Sequence, residues 1–109
     1  MAQDYIVLNT EASGNGMISI NKSVIYAIAE LSIDEIEDAR RIVKTRFNKP
    51  LTVKIENNTL SIEADVKLKY QANVNQTCEL IQNKIYENVF NMTGYKANSV
   101  KVNVVGFDI

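Results

Sequence analysis

The clearest pattern in the chain is an alternation of apolar and polar residues along positions 51–70. Period-two alternation of this length predicts β-strands with one buried side and one solvent-facing side. The positions assigned to the buried side are Leu51, Val53, Ile55, Leu60, Ile62, Ala64, Val66, Leu68 and Tyr70. The alternation breaks at Asn57-Asn58, a pair that tolerates the positive φ angles of a two-residue hairpin turn. Such a turn pairs Ile55 with Leu60 and keeps the apolar residues of both strands on one side, so register and pattern agree.

Apolar residues at steps of three and four positions predict two helices. The first is short and follows Asn21 or Ser23, either of which suits an N-cap. Its predicted buried stripe consists of Val24, Ile25, Ile28 and Leu31. The second has about five turns, follows Asn73 or Asn75, and ends at Gly94, a residue suited to the left-handed C′ position. Its predicted stripe consists of Val74, Cys78, Ile81, Ile85, Val89 and Met92.

Shorter β-branched and apolar runs predict further strands at residues 5–8, 17–20 and 100–104. Residues 33–49 leave two alternatives open. Ile36, Val43 and Phe47 fit one face of a helix, whereas Ile42 and Val43 equally suit a strand.

Strands and helices in this mixed order predict an α+β fold in two layers, with two helices packed on one face of a mostly antiparallel sheet. The chain has 109 residues, which suits one domain. We expect residues 1–15 to form a flexible N-terminal segment with an edge strand, and residues 16–109 to form a single domain.

Composition and charge narrow the range of partners and compartments. The formal net charge is −1, from 12 basic and 13 acidic residues, so nothing draws the whole molecule towards nucleic acid or anionic lipid. The single cysteine forms no intrachain disulfide, which favours a reducing compartment. The start of the chain lacks a signal-peptide pattern, and no apolar run approaches the ~20 residues that cross a bilayer. We therefore expect a cytoplasmic protein with no membrane span of its own.

The residues that most often carry catalysis are scarce in this chain. It contains no histidine, the commonest general base near neutral pH and the commonest transition-metal ligand. Cys78 falls on the predicted apolar stripe and is interpreted as a small buried hydrophobic residue. An acidic cluster matches no calcium loop and is interpreted as a solvated turn. It consists of Asp34, Glu35, Glu37 and Asp38. We expect no enzyme activity, catalytic residue, cofactor, metal or small-molecule substrate.

A basic segment follows the acidic cluster directly. Five positive charges fall within ten residues: Arg40, Arg41, Lys44, Arg46 and Lys49. Such a segment can bind the phosphates of RNA or of lipid headgroups by local charge. It equally suits a solvated surface, or pairing with the neighbouring acids. These five residues are the candidate phosphate- or partner-binding site.

Three blocks of sequence carry a resemblance to a known family. The first joins residues 16–20 to residues 24–29, and the second is the alternating stretch 51–70. The third is the Asn-Met-Thr-Gly at 91–94 followed by the valine-alternating stretch 100–104, and this is the most specific of the three. Together the blocks resemble the alkaline shock protein family, small envelope-stress proteins of Gram-positive bacteria. Two positions depart from the family pattern, because residues 35–39 contain no glycine and Gln71 stands where members often have glycine.

The resemblance implies a non-enzymatic function in cell-envelope stress and homeostasis. Family members are cytoplasmic, some associate with themselves, and some are held at the inner face of the membrane by a separate anchor protein. The leading hypothesis is therefore a protein-binding adaptor or scaffold, whose partner is a membrane-anchored protein or further copies of the chain. The alternative is an RNA- or phosphate-binding module that uses the basic segment, although the charge balance disfavours nucleic acid.

Overall fold

The structure, a computed structural model, describes residues 5–9 and 17–108, with side chains from residue 20 onward. Its elements in chain order are β1 (Tyr5–Asn9), β2 (Met17–Asn21), α1 (Lys22–Asp34), β3 (Ala39–Arg41), β4 (Leu51–Glu56), β5 (Thr59–Lys69), α2 (Val74–Thr93) and β6 (Ser99–Asp108). The α+β class is confirmed. The predicted flexible segment 1–15 lies outside the described residues except for β1, which pairs with β2 in an antiparallel hairpin.

The main sheet is built around β5, whose long alternating sequence gives it a partner on each side. β4 pairs antiparallel with the first half of β5, and β3 pairs antiparallel with the second half. β6 pairs with almost the whole of β5. β6 pairs with the same residues of β5 that pair with β3 and β4, so it must lie along the other edge of β5. β3 and β4 therefore follow one another along the first edge.

The predicted β4–β5 hairpin is confirmed, including its register. Ile55 lies opposite Leu60, and Asn57 and Asn58 have φ values of 51° and 62°. β6 differs from the other partners of β5 because it runs parallel to it. The physical reason is α2, which carries the chain back to the start of β5, as a parallel connection requires.

Of the two N-cap candidates predicted for each helix, the structure shows Asn21 for α1 and Asn73 for α2. The N–H of Ser23 donates to Asn21 Oδ1 at 2.9 Å, and the N–H of Gln76 donates to Asn73 Oδ1 at 3.1 Å. Gly94 ends α2 with φ 80°, in the left-handed region as predicted.

Both helices pack on the apolar face of the sheet, but their buried stripes differ from the predicted ones. The prediction is wrong for Val24 and Leu31, which are 46% and 48% exposed, and for Val74 and Met92 near the ends of α2, which are also exposed. Several of the residues that are actually buried lie one position along the helix from residues that were predicted to be buried. The buried residues of α1 are Ile25, Ile28, Ala29, Ser32 and Ile33, and those of α2 are Thr77, Ile81, Ile85 and Val89.

Residues 33–49 form neither a second helix nor a strand at Ile42 and Val43. α1 ends at Asp34, the three-residue strand β3 follows, and residues 42–50 leave the sheet as a loop. The loop returns at Pro50, whose carbonyl accepts a hydrogen bond from the N–H of Asp65 at 2.7 Å. Among the described residues, neither helix has the length and apolar character needed to cross a bilayer.

Candidate functional site

The basic segment is divided by the fold into a strand part and a loop part. Arg40 and Arg41 lie on β3, whereas Lys44, Arg46 and Lys49 lie on the β3–β4 loop, residues 42–50. Successive residues of a strand point to opposite sides, so the two arginines face different surroundings. The five cations therefore do not form one continuous surface.

Arg41 is engaged by carboxylates of α1. Its Nε donates to Asp34 Oδ1 at 2.8 Å, and its Nη1 lies 3.5 Å from Glu30 Oε2. The hydrogen bond to Asp34 raises the pKa of the guanidinium, which stays charged. Arg41 is thus a residue of the basic segment that pairs with the neighbouring acids. Because these side chains are nearly half exposed, the ion pair contributes little to stability.

Arg40 is held by the backbone rather than by an acid. Its Nη1 donates to the carbonyl oxygens of Glu37 and Ala39, at 3.0 and 3.1 Å. In the sheet register it stands beside Lys67 of β5, so the two cations share the outer face. These bonds hold the Arg40 side chain along the turn that precedes it.

The β3–β4 loop carries the other three cations together with exposed apolar side chains. Lys44, Arg46 and Lys49 are all exposed. Phe47 is 92% exposed and Val43 is 78% exposed. Within the described part of the chain, none of the three cations lies within ion-pair distance of a carboxylate.

A cleft of about 340 Å³ separates the loop from α1. Its lining residues are Ser23, Tyr26, Ala27 and Glu30 of α1, with Lys44, Lys49, Pro50 and Leu51 on the other side. Lys44 and Lys49 thus share this cleft with polar residues of α1. Glu30 in the same cleft also lies beside Arg41, so the carboxylate is shared with a cation outside the loop.

Cys78 is a free cysteine on α2 and is only partly buried. Desolvation by that burial raises the pKa of its thiol. A raised pKa disfavours the thiolate, which is the nucleophilic form of cysteine. Among the residues that the structure describes, no group of histidine, cysteine or carboxylate side chains is arranged to hold a metal ion.

The edge of β6 and the solvent side of α1 are the other open surfaces. In the described ranges β6 pairs with β5 alone, and a bulge at Val105 interrupts that pairing. On α1, the exposed residues Val24, Ala27 and Leu31 recur at helical spacing and form an apolar row.

Comparison with protein families finds a family model that matches residues 10–109. The matching model describes the alkaline shock protein 23 family, with a cell envelope-related function. The chain belongs to this family. The resemblance carried by the three sequence blocks is thereby confirmed, and a cell envelope-related function follows for the chain. Comparison with curated proteins gave no match, and comparison with solved structures gave none either.

This member of the alkaline shock protein 23 family makes the turn after α1, over residues 35–39, without a glycine. Glu35 caps the helix with φ −76°, and its N–H donates to the carbonyl of Leu31 at 3.1 Å. The N–H of Ala39 then donates to the carbonyl of Ile36 at 3.1 Å. Positive φ among the described residues occurs at Asn57, Asn58 and Gly94. The turn therefore contains no left-handed residue and does not require a glycine.

Two buried contacts of the helices were not predicted from the sequence. Ser32 is fully buried, and its hydroxyl accepts a hydrogen bond from Asn88 Nδ2 at 2.9 Å. Helical periodicity cannot reveal this contact because both residues are polar. Tyr95 is 3% exposed directly after Gly94. A signal existed for Tyr95, because a left-handed helix end often places the next apolar residue against the helix.

Proposed function

We propose that the protein is a non-enzymatic adaptor or scaffold of the cell envelope. In this proposal it binds a membrane-anchored protein, further copies of itself, or both, and so acts at the inner face of the membrane. The family match over residues 10–109 is the observation that carries the proposal, because it assigns the chain to a family with a cell envelope-related function.

The edge of β6 supports a binding function. A sheet edge presents free backbone N–H and C=O groups, which can pair with a strand of another chain. The regular part of this edge ends at Val105, where the bulge disrupts the ladder. Residues 99–104 are therefore the segment suited to strand addition.

The apolar row on α1 supports it further. Val24 and Leu31 are seven residues apart and nearly half exposed, which places them on one face of the helix. An exposed apolar row on a helix is typical of a surface that packs against another protein. The non-enzymatic part of the proposal is supported by Cys78, whose raised pKa reduces its use as a nucleophile.

The test is fractionation and crosslinking in the native host. We expect a tagged chain to sediment with membranes, to leave them when a protein anchor is deleted, and to crosslink to that anchor or to itself. A chain found only in the soluble fraction, with no crosslinked protein, would contradict the proposal. A tag on an unrelated cytoplasmic protein of similar size serves as the control for trapping.

Two of the five cations considered for RNA or phosphate binding are engaged by other groups of the protein. Arg41 is paired with Asp34 and Glu30, and Arg40 is turned onto backbone carbonyls. Any such binding would rest on the three loop cations, and it would weaken steeply as salt is added.

A further inference from the structure

The β3–β4 loop combines the most exposed apolar side chains with a concentrated positive charge. Phe47 and Val43 have the highest exposed fractions among the large hydrophobic residues that the structure describes. Exposing a phenylalanine this fully forgoes the favourable free energy that burial of its ring would provide. A loop that leaves such a side chain in water therefore presents a surface suited to an apolar partner.

The charge of the loop is opposite in sign to that of the whole chain. Residues 42–50 contain three basic side chains and no acid, whereas the chain as a whole has a net charge of −1. Glu30 faces the same cleft as Lys44 and Lys49, but it lies within ion-pair distance of Arg41. The loop thus keeps a local charge of +3 that the described acids do not neutralise through ion pairs.

The loop has a defined tip. The N–H of Thr45 donates to the carbonyl of Asn48 at 2.9 Å, and the N–H of Asn48 donates to Thr45 Oγ1 at 3.0 Å. This turn places Arg46 and Phe47 at its apex. Both ends of the loop are anchored to the sheet, by β3 and by the Pro50 carbonyl. The apolar tip and its basic flanks are therefore presented together.

We propose that the β3–β4 loop docks directly on an anionic phospholipid surface. Phe47 and Val43 enter the boundary between headgroups and acyl chains, while Lys44, Arg46 and Lys49 remain among the phosphates. A cluster of basic side chains around exposed apolar ones is the composition that binds anionic membrane interfaces. This contact is made to lipid and not to a protein, so it goes beyond the adaptor function proposed above. It acts together with the anchor protein and does not replace it, because salt screens the three exposed charges and they bind a membrane weakly on their own.

The loop favours a lipid surface over RNA. Single-stranded RNA is bound by aromatic side chains that stack on successive bases, and the loop has one aromatic residue. Val43 has no ring and gains free energy only by leaving water.

A tryptophan reporter gives the direct test, because the chain has no tryptophan of its own. The probe is vesicles of phosphatidylglycerol and phosphatidylcholine in equal parts, with pure phosphatidylcholine vesicles as the control surface. In Phe47→Trp we expect the indole emission to shift to the blue with anionic vesicles and to be quenched by brominated acyl chains. Leu80→Trp, at a position of α2 that is 55% exposed, should show neither change.

Sedimentation with the same vesicles measures the charge contribution. Each cation near an anionic surface contributes roughly a fivefold gain in affinity. The triple change Lys44→Gln, Arg46→Gln and Lys49→Gln should therefore weaken binding about a hundredfold. The matched control Lys54→Gln, Lys67→Gln and Lys101→Gln removes the same charge from the outer sheet face and should leave most of the vesicle binding.

Three results would overturn the proposal. The first is that the purified wild-type chain fails to sediment with anionic vesicles at low salt. The second is that the loop triple variant binds these vesicles as well as the wild type does. The third is that the Phe47→Trp emission responds to oligouridylate and not to vesicles. The last result would assign the loop to RNA. Because all components are purified, failure here leaves the anchor-dependent fractionation of the adaptor proposal unaffected.

Discussion

Gly94 is the one glycine with a positive φ among the described residues. Its φ of 80° is costly for a side chain, yet no atom lies within 4 Å of the Cβ that alanine would add. Gly94→Ala should therefore lower the free energy of unfolding by about 1 kcal/mol through backbone strain alone. Urea denaturation monitored by circular dichroism measures this change.

Two substitutions separate strain from steric contact at this glycine. Gly94→Asn should cost less than Gly94→Ala, because asparagine adopts the left-handed conformation more readily. Gly106→Ala is the matched control, since its Cβ would meet Lys67 side-chain atoms at ordinary distances of 3.7 and 3.8 Å, at no positive φ. Equal losses at Gly94 and Gly106 would show that the φ value at Gly94 is not what matters.

Cys78 gives a prediction about pH. Burial raises the pKa of its thiol above the ordinary value, so the thiolate forms at higher pH in the folded chain than in the unfolded chain. The pH profile of iodoacetamide alkylation should shift upward in the folded protein relative to the protein in urea. The linked stability is present below the ordinary thiol pKa and is lost as pH rises through the raised folded value.

The control for this profile is Cys78→Ser, which should incorporate no label. A folded-state profile at or below the unfolded one would contradict the assigned burial. It would also reopen Cys78 as a nucleophile, because a lowered pKa is characteristic of reactive cysteines.

At the scale of elements, the contact between the two helices depends on a small polar network. The Ser32 hydroxyl donates to the Ile28 carbonyl at 2.7 Å and accepts from Asn88 Nδ2, which also donates to Glu35 Oε1 at 2.9 Å. Ser32→Ala should cost about 1 kcal/mol, the usual net value of such a hydrogen bond. In a double-mutant cycle with Asn88→Ala, the coupling should be at least about 0.5 kcal/mol.

Asn91→Ala provides the matched control for the cycle, because Asn91 is an exposed asparagine on the same helix. It should change stability by less than about 0.5 kcal/mol and show no coupling to Ser32→Ala. If Ser32 and Asn88 proved additive, the helix–helix contact would depend on apolar packing and not on this network.

Elements with a strong internal period were predictable, and those set by the surrounding fold were not. The β4–β5 hairpin follows from alternation and from Asn57-Asn58, both of which are local. The stripe of α1 was displaced because Val24 and Ile25 are both apolar, and only packing decides which one faces the sheet. β3 was not predicted because a strand of three residues is too short to show a period-two pattern. Its partner β5 also lies far along the chain, so no local signal marks the pairing.

The candidate site was predictable in composition but not in arrangement. The sequence shows five cations close together, and strand alternation at β3 then separates Arg40 from Arg41. The loop that isolates Lys44, Arg46 and Lys49 forms because residues 42–50 leave the ladder between β3 and β4. No local pattern marks that departure, so the exposure of Phe47 emerged only from the fold.

At the scale of the whole molecule, both helices lie on one face of the sheet, and the apolar row of α1 is exposed in the part of the chain that the structure describes. Its middle residue, Ala27, also lines the cleft beside the β3–β4 loop. If this row is the protein-binding surface of the proposed adaptor, Val24→Lys with Leu31→Lys should abolish capture of the partner or of further copies. Both positions are nearly half exposed, so the free energy of unfolding should change by less than about 0.5 kcal/mol.

The double variant Leu80→Lys and Met92→Lys makes this test specific, because it adds the same charge at apolar positions of α2 that are 55% and 57% exposed. Crosslinking and analytical ultracentrifugation of the three proteins compare the two surfaces directly. Loss of capture in the α1 variant alone would assign binding to the α1 row, since charge and exposure are matched. If the α1 variant, Val24→Lys with Leu31→Lys, captured its partner undiminished, the α1 row would be excluded as the binding surface. Residues 99–104 of β6 would then be the next candidate, because backbone pairing at a sheet edge is insensitive to side chains on α1.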